Sequence, residues 1–495
     1  MLQALNVNHA GAFRNGSPAL ALLSIKSPPE SRRRRWPDHG LGAFLNSQPA
    51  GDDMSTDFAQ RSRARRVDDQ DAALAARLFA TRQRSLDLAA PLSAEDQAVQ
   101  AMDDASPTKW HLAHTTWFFE TFLLARHDAG YRLFDEAFHY CFNSYYEGEG
   151  PRHPRPLRGL LTRPSLEEVL AYRAHVDLAL DRAIADGLLG APAAAGLVEL
   201  GIHHEEQHQE LLLTDILALF ARNPLRPAYA SGGDPASTDA PAPTDAPAPM
   251  RWISFEGGVR VCGHDGDGFC FDNETPAHET LIRPFRLANR LVTNGEWLEF
   301  MADGGYENPA LWLADGWALV RQECWRGPLY FDQREGRWTQ MTLHGVREPD
   351  LAAPVHHVSY YEADAYARWA GKRLASEFEW EIAARESGAA AECGSANTLA
   401  SGALRPLPAP EGPGLRQMFG DVWEWTASAY LPYPGFRPAS GAVGEYNGKF
   451  MVNQHVLRGA SCATVEGHSR ATYRNFFYPH QRWQFTGLRL ADDGR

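Results

Sequence analysis

Two histidines, His204 and His208, stand one helical turn apart in the stretch Ile202-His203-His204-Glu205-Glu206-Gln207-His208-Gln209-Glu210-Leu211-Leu212-Leu213. Glu and Gln are good helix formers and apolar residues flank the polar run, so the pattern predicts a helix with both imidazoles on one face. Two neutral imidazoles so placed can hold one divalent first-row metal. The plainer reading is a solvated helix rich in His and Glu, the commoner fate of such a pair. The apolar surroundings favour a pocket instead. A metal needs a third ligand. His203 and Glu205 leave the helix at about 100° per residue from their neighbours and do not converge with them. His111 and His114, in Lys109-Trp110-His111-Leu112-Ala113-His114, are the candidates from elsewhere, and both cannot easily reach one ion. One of them would complete a three-histidine facial site, leaving positions open for substrate and for oxygen or water. The stretch also fits H-E-x-x-H, in which Glu205 would be the general base for a zinc-bound water. The extended form of that motif is absent, since Leu211 and Asp215 stand where it would continue.

These side chains need helices to position them. Asp69 to Ser85 has helical spacing of Ala, Leu and Phe, and Ser93 followed by Asp96 is an N-cap signal. Ser106-Pro107 opens a second helix that continues through Leu124, a third is expected from Ser165 to about Asp186, and the His204/His208 helix is the fourth. Four such helices predict an up-down bundle, in which metal sites form from side chains projecting inward from different helices. The bundle domain is expected over 68–223. Residues 224–250 read as a Pro/Ala-rich linker, with Thr238-Asp239-Ala240-Pro241-Ala242-Pro243 nearly repeated as Thr244 to Pro249. From 251 to 495 the chain is rich in Gly, Trp and short broken segments. Short strands and Gly turns are expected over 256–280 and helices at 293–303 and 360–385, giving an irregular α+β domain. Residues 1–67 read as a disordered or over-extended N-terminal segment, with Met54 the expected biological start.

Composition narrows the function. A net charge of −14 argues against nucleic acid or an anionic membrane as the main partner. No run of about 18 apolar residues is present, so no membrane span is expected. The six cysteines are dispersed without a C-x-x-C pair, which fits reduced thiols in a cytoplasm. Asp265, Asp267 and Asp272 do not have EF-hand spacing and read as a Gly/Asp surface turn.

The stretches KWHLAHTTWFFE, NSYYE (Asn143 to Glu147), HHEEQHQELLLTD, GDVWEWT and RWQFTGLRLA occur in the order that resembles the ergothioneine-pathway sulfoxide synthases. These are non-haem iron(II) enzymes with a DinB-like four-helix domain followed by a formylglycine-generating-enzyme-like (C-type-lectin-like) domain. Thr293-Asn294-Gly295-Glu296, Ser376 to Glu381, Gly420 to Trp425 and Gly487-Leu488-Arg489 carry the likeness in the second half. The resemblance implies His114, His204 and His208 as iron ligands, with His111 structural or just behind them. It implies that Gln207 and Asn475, with Phe476 and Phe477 beside Asn475, bind the imidazole betaine hercynine. It makes Tyr145 and Tyr146 the active-site tyrosines, a phenol serving as proton or hydrogen-atom donor, where the bare sequence suggests only an aromatic patch. Among Arg152, Arg155, Arg158, Arg163 and Arg482, we expect Arg152 and Arg482 to hold the carboxylate of the thiol substrate.

The activity so implied is iron(II)- and O2-dependent joining of L-cysteine sulfur to the imidazole C2 of hercynine, giving hercynylcysteine sulfoxide. The branch of the family that uses γ-glutamylcysteine carries its catalytic Tyr in the C-terminal domain and an Asp directly after the position of Phe476. Phe477 stands there, which favours free cysteine. The nearest alternative is the ovothiol-type reaction of histidine with cysteine, whose enzymes commonly carry a methyltransferase domain for which a chain ending at Arg495 leaves no room. A non-catalytic metal-binding module would keep the three histidines without needing the Tyr pair. Formylglycine-generating enzymes use a close cysteine pair near the C-terminus. Only Cys462 lies in that region here, so the second domain is expected to be a scaffold supplying one wall of the site.

Overall fold

Ala-, Leu- and Glu-rich segments with few interior helix breakers make the first half of the chain helical. The computed structural model describes residues 54–230, 249–388 and 396–493. The linker repeat, Cys393 and the N-terminal segment up to residue 53 lie outside the described residues. In chain order the helices of this half are α1 (Met54–Ala89), α2 (Thr108–Phe119), α3 (Ala125–His127), α4 (Glu136–Phe142), α5 (Leu166–Ala185) and α6 (Pro192–Arg222). The four long ones are those expected. α1 begins at Met54 rather than near Asp69, because the intervening Ala, Gln and Arg residues favour helix without marking an apolar face. α5 starts where its capping box places it, with Ser165 and Glu168 exchanging backbone hydrogen bonds. The second helix passes from α2 through a π-helical turn, Glu120–Leu124, into α3. Glu120 in that turn is buried and accepts from the hydroxyls of Tyr131 (2.7 Å) and Tyr172 (2.5 Å).

α2 packs against both α5 and α6 around Trp117, Phe118, Phe122, Val176, Val198 and Ile202. Gly201 permits the close approach of α6 to α2, since a Cβ there would lie 2.4 Å from the Phe119 ring. That approach faces the two histidine-bearing surfaces toward each other.

The second half carries α7 (Asn294–Ala302), α8 (Ala314–Gln322), α9 (Tyr360–Trp369) and α10 (Glu377–Glu386). The single helix expected over 360–385 is therefore two. Gly371, at φ +65°, ends the first, and a capping box from Ser376 to Glu379 opens the second. The strands are β1 (Trp252–Phe255), β2 (Gly258–Cys262), β3 (His278–Ile282), β4 (Phe285–Ala288), β5 (Phe331–Arg334), β6 (Arg337–Thr342), β7 (Gly345–Arg347), β8 (Arg373–Leu374), β9 (Trp423–Ala429), β10 (His455–Gly459), β11 (Asn475–Phe477), β12 (Thr486–Gly487) and β13 (Leu490–Asp493). They form small sheets ordered β1-β4-β13-β8, β11-β10-β9-β12, β2-β3 and β5-β6-β7. The second of these positions the site, because antiparallel pairing sets Asn475 opposite Leu457, which in turn pairs with Trp425.

The linker does not divide two independent bodies. Residues Gln60–Arg495 form one compact unit. Leu212, Leu213, Ile216, Leu217 and Phe220 of α6 share a buried cluster with Tyr330, Met341, Leu343, Cys462 and Phe485. Glu210 accepts from the Trp423 indole (2.8 Å), Ser461 Oγ (2.6 Å) and Thr464 Oγ1 (2.7 Å). Low-complexity sequence reports the freedom of a connector and carries no information on whether its flanks touch. No helix among the described residues is long and apolar enough to cross a membrane.

Candidate metal centre

His204 and His208 leave α6 toward α2, and His114 meets them there. One nitrogen from each of the three lies within 4.8 Å of the others, and the ring centroids are 4.7–4.9 Å apart. His114 Nε2 is 3.2 Å from His204 Nε2. The spacing could not decide between His111 and His114; the fold does.

The partners of the outer nitrogens fix the protons. His114 Nδ1 lies 2.6 Å from the Phe142 carbonyl at the end of α4. A carbonyl only accepts, so Nδ1 carries the hydrogen and Nε2 turns a bare lone pair inward. His111 bridges His208 to a carboxylate, with His111 Nε2 3.1 Å from Asp215 Oδ2 and His111 Nδ1 2.8 Å from His208 Nδ1. The carboxylate takes the His111 Nε2 hydrogen, the bare His111 Nδ1 then accepts from His208 Nδ1, and His208 Nε2 is left free. Asp215 is itself held by the Ser106 amide (2.8 Å) and the Trp483 indole (2.9 Å). Burial, reinforced by the neighbouring rings, holds His114 and His208 well below the ordinary imidazole range, and burial pushes His204 down to about 3. The buried His204 Nδ1 has no hydrogen-bond partner, and His204 Nε2 faces His114 Nε2. Three clustered neutral imidazoles suit a divalent first-row metal, and the residues fit a three-histidine site. Asp215→Asn is expected to weaken metal affinity about 10–100-fold through His111 and His208. Metal titration of the variant measures this, and native affinity would show that His208 is oriented without Asp215.

Glu205 does not face this point. It is buried on the other side of α6, paired with Arg82 (3.1 Å) and Arg173 and accepting from Ser85 Oγ (2.6 Å). Burial raises its carboxyl, but the two guanidiniums prevail and hold it below the usual range. A carboxylate so engaged cannot take a proton from a metal-bound water, so the H-E-x-x-H reading loses its base.

His204 and His208 line a cavity of about 640 Å³ between the helical half and the sheet that carries β9 and β11, and His114, fully buried beside them, does not reach it. Gln207, Asn475, Phe476, Phe477, Tyr145 and Arg152 all reach it. Phe476 stacks on Tyr430 at 4.1 Å, and Phe477 packs near Trp483. Tyr146 does not reach it. It is fully buried behind Tyr145, whose ring stacks on it at 4.6 Å, and packs between Trp117 and Phe122. Arg482 also stands away from the cavity, bound to Glu362 (2.9 Å) and the Gly327 carbonyl (3.0 Å) over the Trp325 ring. Arg152 lines the cavity but is paired with Glu147.

Tyr446 carried no sequence signal, and Arg158 stood among the candidate arginines without being chosen. Tyr446, in an irregular Gly-rich loop, donates to Gln207 Oε1 and stacks on Phe271. Arg158 is a buried guanidinium over the Trp110 ring, bound to Ser106 Oγ (2.9 Å) and Ser144 Oγ (3.0 Å), with no carboxylate paired to it among the described residues. Cys462 is buried, and burial pushes its thiol well up, as suits a core residue rather than a nucleophile.

Fold and site define a class. Residues 77–212 match the DinB superfamily and residues 238–494 match the Sulfatase-modifying factor enzyme 1-like domain. The chain joins a DinB-like helical region to a sheet-rich domain of that second kind. It is 34% identical over 409 residues to a protein of Mycobacterium tuberculosis named hercynine oxygenase, covering 78% of this chain and 91% of that one. It is 33% identical over 449 residues to the hercynine oxygenase of Mycolicibacterium thermoresistibile, covering 85% and 95%. That of Mycolicibacterium smegmatis is 37% identical over 316 residues, covering 59% and 71%. The chain belongs to the hercynine oxygenase family.

Proposed function

We propose that the protein joins the sulfur of L-cysteine to the imidazole C2 of hercynine, using iron(II) and O2, to give hercynylcysteine sulfoxide in ergothioneine biosynthesis. The observation that carries this reading is a cluster of three neutral imidazoles beside a cavity lined by Gln207, from the helix that carries two of them, and by Asn475 from β11. The relatives named hercynine oxygenase support the substrate. The reaction balances without a further reductant: C2–H and S–H are lost, C–S and S–O bonds form, and O2 supplies one oxygen to sulfur and one to water.

Iron(II), when held by His114, His204 and His208, supplies the O2 chemistry. The chain supplies the rest. Phe271, Tyr446, Phe450 and Phe476 give the cavity aromatic walls suited to a quaternary ammonium. Gln207 and Asn475 offer amides to the imidazole. Arg158 takes the carboxylate of the amino-acid thiol, with Arg155 at the cavity rim; both replace Arg482 in that role, and Arg152 is spoken for by Glu147. Tyr145 is the phenol of the expected pair that faces the cavity, and burial keeps it protonated and able to donate. The seam between the two halves excludes water and holds the reactants together.

A second reading, the same chemistry on γ-glutamylcysteine, is favoured by one observation: Tyr446, from the C-terminal half, lines the cavity as well. The test is anaerobic reconstitution with iron(II), then O2 with hercynine and either thiol, the product read by mass spectrometry. We expect the cysteine adduct. Adduct with γ-glutamylcysteine alone would keep the chemistry and reverse the thiol assignment, adduct with histidine in place of hercynine would move the chain to the ovothiol-type reaction, and no O2-dependent product would sink the reading.

A further inference from the structure

A second cluster of metal-ligating side chains lies on α6 beside the first. His203, Glu206 and His468 bring one atom each within 4.8 Å, all buried. Its hydrogen bonds show what it is for. Arg77, on α1, reaches both Glu206 oxygens (3.3 Å each) and His203 Nε2 (3.1 Å). A guanidinium only donates, so His203 Nε2 is bare and Nδ1 carries the hydrogen, which faces both Glu206 Oε2 (3.2 Å) and His468 Nδ1 (3.1 Å). His468 Nδ1 lies 3.0 Å from the same oxygen and His468 Nε2 lies 3.1 Å from the Tyr473 hydroxyl. Tyr473 is 2.7 Å from Gln207 Nε2, and the other end of that amide, Oε1, accepts from Tyr446.

The two Nδ1 atoms lie 3.1 Å apart, and the direction is set by the stronger acceptor between them: the Glu206 carboxylate, paired with Arg77, accepts from both imidazoles, so His468 donates from Nδ1. His468 Nε2 then accepts from Tyr473, and the Tyr473 oxygen accepts from the Gln207 nitrogen. Both His468 nitrogens and His203 Nε2 are engaged in this network, and a cation there would displace Arg77.

We propose that Arg77, Glu206, His468 and Tyr473 form a directional relay that locks the Gln207 side-chain amide in one of its two flips, so that the cavity meets a fixed pattern of one free N–H and one free oxygen lone pair. These are positioning residues, acting through Gln207. The inference rests on the reading of Gln207 as an imidazole-binding group. In Glu206→Gln the carboxamide can donate to His468 Nδ1. The imidazole then carries its hydrogen on Nε2 and donates to the Tyr473 oxygen, Tyr473 donates to Gln207, and the amide flips. Arg77 is partly exposed, so the lock is anchored at the surface and reaches the substrate across α6.

The test is calorimetric titration of the anaerobic iron(II) protein with hercynine and, separately, with imidazole. Glu206→Gln and Tyr473→Phe are each expected to weaken binding roughly tenfold, the scale of one misdirected hydrogen bond, with iron affinity unchanged. The double variant is expected to lose no more than either single one, and both substitutions are expected to be silent when Gln207→Ala is present. Additive losses, or losses that persist in Gln207→Ala, would show a merely structural role and overturn the relay, as would native binding by Glu206→Gln. A protein that takes imidazole but not hercynine, with the same pattern across variants, keeps the relay and removes the functional reading. One that binds neither overturns both.

Discussion

His208→Ala is expected to bind iron(II) at least about a hundredfold more weakly than the native chain and to form product at under about 1% of its rate, the scale for losing one of three protein ligands and its support. The loss exceeds that of an ordinary ligand because His208 does two things. It turns one of the three lone pairs inward, and it donates to His111, which continues to Asp215. Without it, His111 Nδ1 is left facing a void and the remaining two imidazoles, on different helices, offer only two of the three nitrogens. His111→Phe, which removes the support and leaves the ligand, is expected to fall between His208→Ala and the native protein. Metal content after dialysis, read beside turnover, measures this. Full iron content in His208→Ala would mean that the three-histidine set is the wrong one.

Glu205→Ala is expected to cost stability rather than chemistry, about 3–5 kcal/mol, the range for removing one partner of a buried ion pair. Arg82 and Arg173 both point at this carboxylate from α1 and α5; without it Arg173 would be a buried cation with no carboxylate partner, while Arg82 would keep Asp177. Glu205→Gln keeps the volume and one acceptor oxygen, so it is expected to lose less. Urea unfolding of the metal-loaded variants measures the difference. The pH dependence follows in sign: Glu205 is held below the ordinary carboxylate range, so its contribution is complete above the unfolded value of about 4.3 and is lost as pH falls through the folded one. If Glu205 were instead the base of a zinc hydrolase, the Ala variant would unfold like the native chain and lose turnover alone.

The spacing of His204 and His208 and the cap at Ser165 were both legible because each is a local rule: a helical turn brings i and i+4 together, and Ser and Glu three apart close a capping box within one turn. The third ligand was not local. His111 and His114 are both on α2 with equal claims by spacing, and only the packing of α2 against α6 at Gly201 brings His114 to His204 and leaves His111 between His208 and Asp215. Family resemblance named His114, which meets His204 and His208, and Gln207 and Asn475, which line the cavity. It could not separate Tyr145 from Tyr146, since that depends on which of two stacked rings lies nearer the cavity. Nor could residue type separate the arginines. Arg482 looks like Arg158 until Glu362 and Trp325 are seen to occupy it. Tyr446, Glu206 and His468 were illegible for a further reason. Their roles exist only as links to residues hundreds of positions away, and no window of sequence contains both ends.

The buried seam joining α6 to Tyr330, Met341, Cys462 and Phe485 limits how this protein can be rebuilt. A chimera that kept the helical half and borrowed a sheet-rich half from a formylglycine-type relative would have to carry over not only the cavity wall but the whole face that meets Leu212, Leu213, Ile216 and Phe220, together with the hydroxyls and indole that receive Glu210. The exchangeable unit is therefore a pair of matched faces, and substitutions on one side of the join must be compensated on the other before a new substrate can be admitted.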